Sequence, residues 1–157
     1  MTAAKSATVT TLSDAPSVWV VGDQVRFMGD VDGANLSVVE VTVMPGSGTP
    51  PHRHASPEIF RVTEGEVTFG IFGDGPPRMI TAGVGTVVTV PSWLGHNYSN
   101  QSDKPARFAA VLEHEMVEFF KDVGTDVMPP QGPPSDELFG RIMAACQRHG
   151  IQMLAAA

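Results

Sequence analysis

The sequence predicts an all-β fold, an antiparallel sandwich or barrel, followed by two short helices at the C-terminal end. Three observations carry this. Runs rich in Val, Thr, Ile and Phe recur at close spacing. Several of them alternate apolar and polar residues, the period of a half-buried strand. Glycine and proline (16 and 13 of 157 residues) are scattered along the chain and cut it into short pieces.

The elements follow in order. "SVWVV" and "QVRFM" flank Gly22-Asp23 and read as an N-terminal hairpin. "LSVVEVTVM" comes after the turn residues Asp30 to Gly33. "EVTFGIF" places Val67, Phe69 and Ile71 on one face and ends at Gly73-Asp74-Gly75-Pro76-Pro77. "GTVVTVP" and "ARFAAVLE" complete the strands. The pattern then changes. "EHEMVEFFKDVG" aligns Met116, Phe119, Phe120 and Val123 on one helical face, with Gly124 as its stop. After "MPPQGPPS", Ser135 can cap a second helix, with Asp136 and Glu137 in its first turn and Gly150 at its end. The chain divides into residues 1–112, strands including the hairpin, and residues 113–157, a helical extension packed on them.

Composition narrows the function classes. The length suits one domain with a proper core. Ten Lys and Arg against 17 Asp and Glu leave a net charge of −7, with no basic cluster, so neither nucleic acid nor an anionic membrane is expected as a partner. No segment has the apolar length of a membrane span. The start, "MTAAKSATVTTLSDAPS", holds no apolar stretch of the secretory kind. Cys146 is the single cysteine, so no disulfide framework exists, and a cytoplasmic location is expected.

The chemistry concentrates in "PHRHASPEIF". Residues two apart in a strand point to the same side, and Pro50-Pro51 favours extended backbone, so His52 and His54 share a face. Pro57 breaks the strand over Ala55-Ser56-Pro57 and lets Glu58, opening the next strand, swing beside the two imidazoles. Two histidines and a carboxylate converging in this way are ligands for a transition metal. His96, 38 residues after Glu58 and behind a strong strand, is available as a fourth.

Residues 46–65 read G-x5-H-x-H-x3-E-x6-G, and residues 85–100 read G-x5-P-x-W-x2-H-x3-N. These segments resemble the two motifs of the cupin superfamily in register, except that Trp93 stands where the family has glycine. The resemblance covers about residues 35 to 115. It implies a single jelly-roll β-barrel with a metal centre of His52, His54, Glu58 and His96. The centre would hold one divalent metal, Fe, Ni, Mn, Co or Zn. Phe60 and Val62 share the parity of Glu58, and Tyr98 and Asn100 that of His96, so these four are the candidate substrate-pocket residues. Trp93 is expected to cover apolar surface on the outside, and His114 and His149 to be surface residues.

The whole pattern, including the two-helix ending, is similar to single-domain bacterial cupins of the quercetin 2,3-dioxygenase-like group. The resemblance implies a metal-dependent dioxygenase acting on a small enol-bearing aromatic molecule, with Glu58 as ligand and general base. A non-oxidative isomerase, cyclase or lyase using the same centre is an alternative, as is a small-molecule-binding module without catalysis. Single-barrel cupins commonly pair, so a homodimer is expected.

Overall fold

Among the described residues, ten of the eleven strands precede the first helix, and they pair only with antiparallel neighbours. The computed structural model describes residues 4–155; the outermost residues of both expected units, 1–3 and 156–157, lie outside it. The strands are β1 (Ser17–Val20), β2 (Asp23–Asp30), β3 (Ser37–Val43), β4 (His52–Arg53), β5 (Glu58–Glu64), β6 (Val67–Phe72), β7 (Arg78–Ala82), β8 (Val87–Val90), β9 (Gly95–Ser99) and β10 (Ala106–Leu112). Helices α1 (His114–Val123) and α2 (Asp136–Arg148) follow, and β11 (Gln152–Met153) ends the chain. One sheet has the order β1-β2-β3-β10-β5-β8, the other β11-β4-β9-β6-β7. Among the described residues the hydrogen bonding forms two sheets and no single closed ring, so the expected barrel is a two-sheet structure.

Side-chain alternation explains the pairing. Val39, Val41 and Val43 of β3, Phe60 and Val62 of β5, and Ala106, Phe108, Ala110 and Leu112 of β10 are buried at every second position. A one-residue slip would turn each set to solvent, so the register is strongly specified. The sheets meet through aromatic contacts: the Phe60 and Phe69 rings lie 5.1 Å apart, and those of Tyr98 and Phe108 5.0 Å. Truncating any of these phenylalanines to alanine removes about 3–5 kcal/mol.

Both helices form where expected. In α1, Met116, Val117, Phe119 and Val123 are buried, and Gly124 donates its backbone N–H to the Phe120 carbonyl. Thr125 then pairs with Trp19 of β1 through two 2.8 Å backbone bonds, tying the helix end to the N-terminal hairpin. In α2, the Ser135 side chain accepts from the Leu138 N–H. His149 bonds Glu115 at 2.6 Å and Asp122 at 2.8 Å, and Arg148 also reaches Asp122 at 2.9 Å, so the two helices are clamped together. His149 therefore belongs to a helix–helix ion-pair cluster and is mostly covered, whereas His114 is half exposed beside Asp30 and Glu118. Among the described residues no helix is long and apolar enough to cross a membrane. The stretch 66–84, which has the length of a hairpin, forms one from β6 and β7; sequence reading did not foresee β11, which is two residues long and covers the outer edge of β4.

Candidate metal centre and cavity

His52 and His96 are direct cross-strand partners of β4 and β9 in the second sheet. His54 follows β4, and the chain bends over Ala55 and Ser56 before Glu58 opens β5 in the first sheet. The carboxylate therefore approaches the imidazoles across the gap between the sheets. The rings are packed together, with centroids 4.5 Å (His52–His96), 4.9 Å (His54–His96) and 5.4 Å (His52–His54) apart. One nitrogen from each of the three lies within 4.8 Å of the others. Glu58 Oε2 is 3.0 Å from His96 Nε2, and Oε1 is 3.6 Å from His54 Nε2.

The backbone decides which nitrogen faces inward. His52 Nδ1 is 2.8 Å from the Pro50 carbonyl, His54 Nδ1 2.8 Å from that of Ser56, and His96 Nδ1 2.9 Å from that of Leu94. A carbonyl only accepts, so each Nδ1 carries the proton and donates it. In a neutral ring that leaves the Nε2 lone pair free toward the centre, the tautomer a metal requires. Burial pushes His52 down to about 4, with the His96 charge adding to it, and it lowers His54 too, so both rings are neutral near pH 7. The His54 Nε2 atom is buried without a hydrogen-bond partner. Burial also acts to lower His96, but the hydrogen bond and charge of Glu58 outweigh it and raise this ring. The 3.0 Å contact between His96 Nε2 and Glu58 Oε2 is the hydrogen bond behind this rise. An orphaned lone pair, three matched tautomers and a buried carboxylate fit a divalent transition metal.

The motif glycines show why the loops fold as they do. Gly46, Gly65 and Gly85 have φ of 78°, 68° and 89°, the left-handed region open to glycine at little cost. Trp93, in the fourth such position, keeps that conformation at φ 67° despite its Cβ. Its N–H donates to the His54 carbonyl at 2.8 Å and so braces the histidine loop. The residue is 47% exposed and is absent from the cavity wall.

A cavity of about 300 Å³ runs inward from His52, Glu58 and His96. Phe60 and Tyr98 line it, as expected from parity. Val62 does not; it lies farther along β5, wholly inside the core. Asn100 is also off the wall. Its Nδ2 donates to the carbonyls of Val43 (2.9 Å) and Lys104 (2.7 Å), and its Oδ1 accepts from Ser102, so the side chain pins a turn. The far wall comes from the helices, through Met116, Phe119 and Phe120 of α1 and Phe139, Ile142 and Met143 of α2.

Among the cavity residues that sequence reading missed is a carboxylate, Asp23, which it took for a turn residue. The alternation of Asp23 with the buried Val25 was the available signal. Asp23 is 3% exposed; its Oδ2 accepts from the Tyr98 hydroxyl at 2.6 Å and its Oδ1 from Ser47 Oγ at 2.7 Å. Burial raises its carboxyl to about 6, against the lowering effect of both donors. Tyr98 is raised well above its ordinary value by burial and by the Asp23 charge.

Residues 39–112 match the cupin domain family. Gentisate 1,2 dioxygenase 1 of Aquipseudomonas alcaligenes is 30% identical over 118 residues, 71% of this chain. The chain spans only 30% of that relative's length. Among solved structures, a predicted oxalate decarboxylase from Thermotoga maritima is similar in fold, with a TM-score of 0.60 at 18% identity over 68% of this chain and 98% of that one. The Fe(II) form of HppE gives a TM-score of 0.57 at 19% identity over 68% and 60% of the two chains.

Proposed function

We propose that this protein is a metal-dependent dioxygenase acting on a small, enol-bearing aromatic molecule. The observation that carries the reading is the convergence of three Nε2 lone pairs and the Glu58 carboxylate at the end of an apolar cavity of about 300 Å³. His52, His54, Glu58 and His96 would hold the metal, which supplies a Lewis acid for an enolic oxygen and a redox partner for dioxygen. Glu58 Oε1, the oxygen not committed to His96, takes the proton of the substrate hydroxyl. The carbonyls of Pro50, Ser56 and Leu94 hold the three imidazoles in their working tautomer throughout. Phe60 and Phe108 offer flat apolar surface to an aromatic ring, and the helical wall keeps bulk water away from the deprotonated substrate. The similarity to a gentisate dioxygenase supports a phenolic substrate; flavonols, expected from the motif resemblance, are the second class to test.

The test is oxygen uptake by protein loaded separately with Fe(II), Ni(II), Mn(II) and Co(II), offered gentisate and flavonols. Substrate-dependent uptake that vanishes in His52→Ala supports the reading. No uptake by protein shown to contain metal overturns it. Turnover of the same compounds without oxygen consumption would establish the non-oxidative alternative, which uses the same residues.

A further inference from the structure

The cavity has two polar poles, and the metal centre accounts for only one of them. The other is Asp23. Its neighbours at inward positions on β2 and β3 are Val25, Val41 and Val43, so a carboxylate here stands among apolar side chains. Among the described residues no salt bridge reaches it. An ionised carboxylate offers about four lone-pair sites, and Tyr98 and Ser47 fill two. The local backbone is arranged to hold it. Val21, a β-branched residue, turns the β1–β2 hairpin with φ 55°, and Gly22 lets Ser47 approach so closely that a Cβ would lie 2.6 Å from its Oγ. Tyr98 is set by the edge of its ring against Phe108. Burying a charge without a cation is costly unless donors surround it, and two of the acceptor sites on Asp23 have no protein donor.

We propose that Asp23, oriented by Tyr98 and Ser47, is the second recognition point of the cavity and accepts a hydrogen bond from a substrate hydroxyl remote from the metal centre. The substrate class is then an aromatic with two hydroxyl poles, one presented to the histidines and Glu58, the other to Asp23. The inference rests on the reading of this cavity as the substrate site and narrows it from enol-bearing aromatics to dihydroxylated ones.

The experiment is calorimetric binding to the Zn(II)-loaded protein, which is redox-inert and so reads recognition without turnover. The probes are two matched pairs. One is gentisate and its 5-methoxy ether; the other is a flavonol with free B-ring hydroxyls and the same flavonol with those hydroxyls methylated. The hydroxyl member of at least one pair binds roughly tenfold or more tightly than its ether, the scale of a hydrogen bond to a charged acceptor. Asp23→Asn replaces one acceptor by an N–H donor at constant size, so it abolishes or reverses that preference. Equal binding of both members in both pairs, no binding of any probe, or an unchanged preference in Asp23→Asn each overturns the proposal. Should Asp23→Asn not fold, Tyr98→Phe decides: it frees a further acceptor on Asp23, so the hydroxyl preference stays or grows, and its loss would transfer recognition to Tyr98. Oxygen uptake by the Fe(II)-loaded protein on the same compounds separates the two claims. Discrimination without uptake leaves Asp23 its role and sinks the dioxygenase, and uptake without discrimination does the reverse.

Discussion

Asp23→Asn makes the metal-free protein more stable at neutral pH and less so as the pH falls. The buried carboxyl titrates at about 6, against an ordinary value of 3.8. The folded state therefore takes up this proton at a higher pH than the unfolded chain does. Stability falls as pH rises from about 4 to about 6 and levels off above, where the full shift costs roughly 3 kcal/mol. Asparagine cannot ionise and escapes the penalty. Integrating the two titrations, the advantage of the variant grows by about 2 kcal/mol between about pH 4.5 and about pH 7.5, or roughly 4–8 °C in Tm. His52, lowered to about 4, contributes the opposite slope in the same window: it stays neutral in the fold while the unfolded chain protonates. That term is common to both proteins and cancels in their difference. The assay is urea unfolding of both proteins across the window. A difference that does not change with pH refutes the reasoning, because the carboxyl would then titrate normally. The expected gain is the stability cost of keeping a carboxylate at a recognition site.

Saturating the wild-type protein with a divalent metal at about one hundred times Kd adds about 2.7 kcal/mol and raises Tm by roughly 5–10 °C; in His54→Ala the affinity drops by more than about 100-fold and the shift disappears, and a persistent shift would remove His54 from the ligand set. Trp93→Gly releases the left-handed strain and stabilises the fold by about 0.5–1 kcal/mol, read by chemical denaturation. Destabilisation by a similar amount would show that the indole covers apolar surface worth more than the strain. Burial lowers His149, but the bonds to Asp122 and Glu115 outweigh it, so this clamp is fully made below 6.5 and weakens as pH rises through the raised folded value. Hydrogen exchange of the α2 amides, corrected for intrinsic rate, speeds up over that range; pH-independent protection would show that the clamp does not hold the helix.

The metal-ligand candidates were legible because their geometry is local. His52 and His54 share a strand face through a period of two, Pro50-Pro51 and Pro57 set the extension and the break, and the motif glycines mark backbone that other residues avoid. Helix α2 was legible for the same reason, since its cap and its apolar stripe lie within a few turns of one another. Parity carried Phe60 and Tyr98 to the cavity wall, but not Val62 or Asn100. Alternation names a face; it does not say how far along that face the cavity reaches, nor which polar atoms the turns consume. Asp23 was hidden because its partners are 24 and 75 residues away, and only the packing of β2 against the 47–49 turn and β9 brings them together. The helical wall of the cavity and the covering strand β11 depend likewise on how the last forty residues dock, through long-range contacts such as that of His149 with Asp122. The sequence by itself determined the strand periods, the helix caps and the three histidines with their carboxylate, since short-range sterics and alternation set these. The tertiary structure alone decided the second pole of the cavity and its helical wall, because both arise from contacts between segments with no sequence relation to one another.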